Sequence, residues 1–203
     1  MLVNGNKIAV AILAGGLNTR FGGETKALIN INGIKIIELI VDQLRPLAKE
    51  IIIVTNNPVD FCHLEGCMIV GDIFLKAGPL GGIHSAMTIT TAESLFVVAS
   101  DMPLINRDVV ESQMEAFYRM GGEVFIPVID DRIEPLHAIY SAGLLPRLED
   151  FLSGNKKRAI REFLEMAHVV HWTPPEKETF TRAVANINTP DDLEEIKKKY
   201  IDP

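Results

Sequence analysis

Two short runs, Ile51-Ile-Ile-Val54 and Phe96-Val-Val-Ala99, are apolar at every position. A strand with one wet face alternates apolar and polar residues, so unbroken runs of this kind belong to strands covered on both faces. That calls for a sheet held between two layers of helices. Strand candidates at 7–13, 50–55, 68–70, 95–100 and 123–128 alternate with helix-period segments at 34–47, 79–90, 107–120, 142–152, 158–166 and 191–200. Such alternation predicts an α/β domain of three layers with a mostly parallel sheet. Residues 135–140 read as one more strand, with Asp130-Asp131 as the turn of a hairpin joining 124–129 to 133–140. Thr189-Pro-Asp-Asp192 opens the last helix with a capping hydroxyl, a proline at the first helical position and acids near the positive helix end. No linker, repeat or low-complexity tract divides the 203 residues, so 1–203 is expected to be one domain.

Charge narrows the partners. Twenty Lys and Arg against 27 Asp and Glu give a net −7, which argues against coating nucleic acid or an anionic membrane. A small anion is not excluded, because local donors can outweigh a global field. Cys62 and Cys67 are too few for a disulfide framework and lack the Cys/His company of a zinc site, so free thiols in a reducing compartment are expected. The apolar run near the N-terminus lacks a basic leader, and no stretch reaches the roughly 18–20 apolar residues that span a bilayer. The expectation is a soluble, cytoplasmic protein.

The most informative segment is Leu13-Ala-Gly-Gly-Leu-Asn-Thr-Arg-Phe-Gly-Gly-Glu-Thr-Lys26, directly after the first strand. Glycines let a chain turn where a Cβ would clash and let backbone N–H groups approach an anion. Arg20 and Lys26 add cations that can neutralise phosphate oxygens. The loop is neither Gly-x4-Gly-Lys-Ser/Thr nor Gly-x-Gly-x-x-Gly, because Gly22 falls six residues after Gly16 and Ala27 follows Lys26. Read from its residues alone, it is either a flexible turn with solvated cations or a phosphate cradle of a third kind.

The segment resembles the opening motif of nucleotidyltransferases that load a nucleoside monophosphate from an NTP, and most of all the molybdenum cofactor guanylyltransferases (MobA-like proteins). The resemblance runs along nearly the whole chain. Asp72 with Gly78-Pro-Leu-Gly-Gly-Ile83 is similar to the family's second motif. Ser100-Asp-Met-Pro103 is similar to its metal-binding Asp-x-Pro, and Ala185-Asn-Ile-Asn-Thr-Pro-Asp-Asp192 to its closing Asn-x-Asn-Thr-Pro element. The sequence departs from the family at Thr19-Arg20-Phe21-Gly22, where many members carry an arginine pair and a methionine.

The resemblance implies a Rossmann-like, nucleotide-diphospho-sugar transferase-like fold. The implied reaction transfers GMP from GTP to the phosphate of molybdenum-molybdopterin and releases pyrophosphate. It implies Arg20, Lys26 and Asp101 as catalytic residues, with Asp101 the ligand of Mg²⁺. Nucleotide contacts fall to Leu13, Ala14, Gly15, Gly16, Lys26, Asn56, Asp72, Gly78, Pro79, Gly82 and Asp101. Acceptor contacts fall to Lys157, Arg158, Arg161, Asn186 and Asn188, so that 1–100 serves mainly the nucleotide and 101–203 mainly the acceptor. Transient docking to cofactor-delivery or acceptor proteins is a further expectation.

Bland roles stay open beside these. Asp101 and Asp72 could be turn aspartates, the glycines near Leu80 could serve their helix, the basic run 156–161 could be a solvated face, and the two asparagines could brace their turn. His137 reads as a core histidine. The rival activities are the same transfer with CTP or with a sugar-phosphate acceptor, and a non-catalytic nucleotide-binding protein. No general base is recognisable, and none is required. A phosphate monoester is already an anion at neutral pH, so the protein has to align it and offset growing negative charge.

Overall fold

The computed structural model describes residues 8–15, 25–154 and 159–198. Its sheet follows the order β10-β7-β9-β6-β1-β4-β5, where β1 is Ile8–Leu13, β4 Ile51–Val54, β5 Cys67–Val70, β6 Ser94–Ala99, β7 Val124–Ile129, β9 His137–Ser141 and β10 Val169–Trp172. All of these run parallel except β9, which pairs antiparallel with both β6 and β7. The predicted mostly parallel sheet is therefore present. The unbroken run of β4 is buried at every position, as is all of β6.

Successive residues of β1 divide between two cores. Ile8, Val10 and Ile12 enter one with helices α1 (Ile36–Leu44), α3 (Arg107–Met120), α6 (Lys177–Ala183) and α7 (Pro190–Ile196). Ala9 and Ala11 enter the other with α2 (Pro79–Ile89), α4 (Leu145–Ser153) and α5 (Ile160–Leu164). Each fully buried Ile, Leu or Phe in these layers contributes roughly 1.5–3 kcal/mol over its exposed state. Among the described residues, no helix is long and apolar enough to cross a membrane.

Several elements differ from expectation. The helix expected over 34–47 begins at Ile36, because Asn32 and Gly33, with φ of 51° and 90°, make a tight turn joining β2 (Asn30–Ile31) to β3 (Ile34–Lys35). Asp130 and Asp131 take φ of 47° and 61° in the expected hairpin, whose return strand is the short β8 (Arg132–Ile133). The chain breaks before β9, so the second arm is two strands rather than one continuous run. β10 and α6 were not anticipated. Cys62 and Cys67 are free thiols.

Helix ends follow local chemistry. Asn106 Oδ1 accepts from the Val109 N–H at the start of α3, and Gly121, at φ 71°, ends that helix. Thr189 and Asp192 cap α7 reciprocally, Thr189 Oγ1 accepting from the Asp192 N–H and Asp192 Oδ2 from the Thr189 N–H.

Candidate active site

The chain leaves β1, travels to β4 and β5 on one side, and crosses back to β6 on the other. This reversal falls at the carboxyl ends of β1 and β6, the position at which open α/β sheets bind ligands. The Leu13 carbonyl accepts from Ser100 N–H on one flank, and the Ala14 N–H donates to the Val54 carbonyl on the other. The end of β1, Leu13 and Ala14, is thereby held between β4 and β6. Two side-chain clusters stand on either side of it.

The first forms at Asp101, just beyond β6. Lys26 starts a single 3-10 turn, Lys26–Leu28, and its Nζ lies 3.0 Å from Asp101 Oδ2 and 2.9 Å from Asn188 Oδ1. The Lys26 and Asp101 side chains are 18% and 22% exposed, enough for a ligand to reach them while shielding their charges from bulk water. Asp101 is fixed through its own carbonyl, which accepts from the N–H of buried Ile187. Asn188 is fixed through its N–H, which donates to Asp192 Oδ2 at 2.8 Å. That hydrogen bond and those from Thr189, with the Lys26 charge, hold the Asp192 carboxyl below the ordinary aspartate range.

The second cluster is Asn56 and Asp72, at the carboxyl ends of β4 and β5. Asn56 Nδ2 donates to Asp72 Oδ2 at 3.0 Å, and the Asp72 N–H donates to Asn56 Oδ1 at 2.9 Å. This reciprocal pair fixes the carboxylate's orientation. A Cβ on Gly15 would come within 3.8 Å of Asp72 Oδ2, so the loop after β1 runs beside this carboxylate. The loop from Gly71 to Gly78 is tied down by Ser85, whose Oγ accepts from Ile73 N–H and donates to the Gly81 carbonyl. Ser85 is buried in α2, and sequence reading passed over it. The same helix carries Thr88, whose hydroxyl donates to the His84 carbonyl, so a hydroxyl there did not by itself distinguish Ser85.

The glycines of the second motif serve different ends. Gly78 has φ 62°, which only glycine adopts readily, and it precedes Pro79 at the first position of α2. A Cβ on Gly81 would sit 2.8 Å from the Phe74 carbonyl oxygen, and one on Gly82 3.0 Å from Leu13 Cδ2. Gly82 is buried, and packing of α2 against β1 accounts for its missing side chain.

The acceptor residues are spread more widely. Asn186 is exposed and lines a cavity of about 610 Å³ between α6 and α7, with Lys177, Arg182 and Asp192. Asn188, expected on the acceptor side, accepts a hydrogen bond from Lys26 Nζ at 2.9 Å. Arg161 is exposed on α5, in the opposite helix layer. A smaller cavity, about 340 Å³, lies between α1 and the start of α3. Neither cavity centres on Lys26 and Asp101. The fold nevertheless brings these two residues together from 75 positions apart at the sheet's switch point. Gly16, Arg20, Lys157 and Arg158 lie outside the described residues.

His137 is fully buried between Phe96 and Phe180, with ring centroids 4.9 and 5.0 Å away. Neither ring nitrogen has a hydrogen-bond partner, and burial pushes its pKa down to about 4. It is a core residue, as its strand context suggested.

This geometry can be set beside known proteins. The MobA-like NTP transferase domain matches residues 10–171. The chain belongs to this family. It is 35% identical to a probable molybdenum cofactor guanylyltransferase of Clostridium perfringens, over 96% of this chain and 99% of that one. A protein of the same description from Thermococcus gammatolerans is also 35% identical, over 93% and 98% of the two chains. The crystal structure of molybdopterin-guanine dinucleotide biosynthesis protein A from Archaeoglobus fulgidus superposes with a TM-score of 0.80 at 27% identity, covering 94% of this chain and 97% of that one. In this MobA-like chain, Gly15, Lys26, Asp72, Asp101 and the Asn-x-Asn-Thr-Pro element all meet the carboxyl edge of one sheet.

Proposed function

We propose that this MobA-like protein transfers GMP from GTP to the phosphate of molybdenum-molybdopterin and releases pyrophosphate. The observation that carries the reading is the Lys26–Asp101 contact at the switch point, 3.0 Å long. The acceptor's phosphate oxygen forms a bond to the α-phosphorus of GTP as the bond to the β-phosphate bridging oxygen breaks. Both reacting groups are anions, so no proton has to be removed from the nucleophile. The demand is alignment and positive charge, which Lys26 supplies together with Arg20 of the glycine loop.

The residues present suit Mg²⁺. Among the described residues no cluster of three His, Cys, Asp or Glu could enclose a metal ion. A solitary carboxylate such as Asp101 fits an ion that keeps several waters and otherwise binds substrate phosphates. When bound, Mg²⁺ would lend positive charge to the phosphate oxygens.

Asp72 gives a reason for guanine. A carboxylate only accepts hydrogen bonds, and guanine offers a ring N–H beside an exocyclic amine. Cytosine offers no such adjacent donor pair. Asn56 keeps the carboxylate oriented for that edge. The α6–α7 cavity, with Asn186, Lys177 and Arg182 on its wall, is the acceptor side of the same reading. A cytoplasmic setting and transient docking to proteins that deliver or receive the cofactor belong to it as well.

The test is incubation of pure protein with molybdenum-molybdopterin and each Mg–NTP in turn, following pyrophosphate. Release with GTP alone is expected. Equal release with CTP, or none with GTP, would overturn the guanylyl assignment.

A further inference from the structure

The described structure has Lys26 bound to the very carboxylate that is to take the cation. We infer that Asn188 is a positioning residue for Lys26, and that the two form a latch on Asp101 which an arriving metal ion has to open. The inference rests on the reading that Asp101 is the metal ligand.

An ammonium has three N–H bonds, and here one goes to Asp101 Oδ2 at 3.0 Å and one to Asn188 Oδ1 at 2.9 Å. A divalent cation on the Asp101 carboxylate would repel the ammonium, so the two compete for one acceptor. Asn188 tips that competition toward Lys26, because a side chain with several rotatable bonds stays on Asp101 more of the time when a second acceptor holds it.

Asn188 can do this because its backbone does not depend on Lys26. Its N–H is bound to Asp192, the neighbouring Thr189 N–H is bound to the same oxygen, and Ile187 is tied to the Asp101 carbonyl. Only the amide group has to change partner when the latch opens. Lys26 then passes to the phosphates that accompany the cation, and the Asn188 oxygen becomes free beside Asp192, a wall residue of the α6–α7 cavity. One lysine thus links the nucleotide half to the acceptor half.

The test uses the whole protein and Mn²⁺ alone as probe, read by electron paramagnetic resonance without nucleotide, with melting temperatures confirming that each variant is folded. Asn188→Ala removes no charge and no metal ligand, yet it should bind Mn²⁺ several-fold more tightly than the unmodified protein. Lys26→Met should bind it more tightly still. The double variant should gain nothing over Lys26→Met, because Asn188 acts only through Lys26. Asp101→Asn should abolish binding. Unchanged affinity in Asn188→Ala, or a full additional gain in the double variant, would overturn the latch and leave the metal assignment standing. No Mn²⁺ binding in any variant, Lys26→Met included, would overturn both.

Discussion

The two edges of the sheet use carboxylates in opposite ways. At the amino edge, Glu123 is saturated. Arg147 holds both of its oxygens, at 2.9 and 3.1 Å, and the His168 N–H adds a third bond at 2.8 Å. These bonds, Arg147 first, keep its pKa below the ordinary glutamate value. Glu50 is treated alike: burial opposes its charge, but Thr90 and Thr91 more than offset that. At the carboxyl edge, among the described residues, the Asp101 side chain is held by one ammonium, itself shared with an amide. A carboxylate whose acceptor sites are filled by rigid backbone and a bidentate arginine is a clamp. One met by a single movable cation is available for chemistry.

This contrast can be broken by substitution. Lys26→Ala should lower turnover on the order of 10²-fold or more, by analogy with loss of one charge-stabilising donor, while Tm stays nearly constant. Steady-state kinetics and a melting curve check it together. A large fall in Tm with turnover preserved would make the carboxyl edge structural like the amino edge.

The next largest effect is a pH dependence of stability. His137 has a folded pKa of about 4 against 6.5 for an unperturbed histidine. Below pH 6.5 the unfolded chain therefore binds a proton that the folded protein refuses. Stability should fall as pH drops from 6.5 toward 4, by up to about 3 kcal/mol from this residue. Denaturant midpoints across that range should show a steeper decline in the unmodified protein than in His137→Leu. Parallel declines would contradict the assignment.

Gly81→Ala should cost about 1–3 kcal/mol, because its Cβ meets the Phe74 carbonyl and the Ala77 side chain within 3.0 Å. Urea unfolding measures this directly. The smallest effect belongs to the amino edge, where Arg147→Met should lower Tm slightly and leave turnover unchanged. Lost activity there would erase the distinction between the edges.

The central strands were legible because burial on both faces leaves an unmistakable run, and β4 and β6 lie within a residue of their expected bounds. β10 was not, since an edge strand of four residues with mixed exposure carries no such run. The Asn32-Gly33 turn lies just before the expected helix, and Ile34 and Lys35, which form its return strand, read as the first residues of that helix. In the site, the glycine loop and Lys26 announced themselves by position after β1. Asn188 was singled out by the resemblance, but its pairing with Lys26 was not legible, because an amide has no preferred partner until the fold supplies one, here 162 residues away. Gly82 shows the converse: glycine marks close approach, and here the fold supplies Leu13 as the neighbour that a Cβ would meet.

The central claim is that the α–β bond of GTP is broken and the GMP unit moves. GTP labelled with ³²P at the α-position, incubated with Mg²⁺, molybdenum-molybdopterin and the protein, tests it most directly. The label should appear in a pterin-containing dinucleotide, while label placed at the γ-position should leave as pyrophosphate. Release of γ-label as inorganic phosphate with no α-label reaching the pterin would contradict the account.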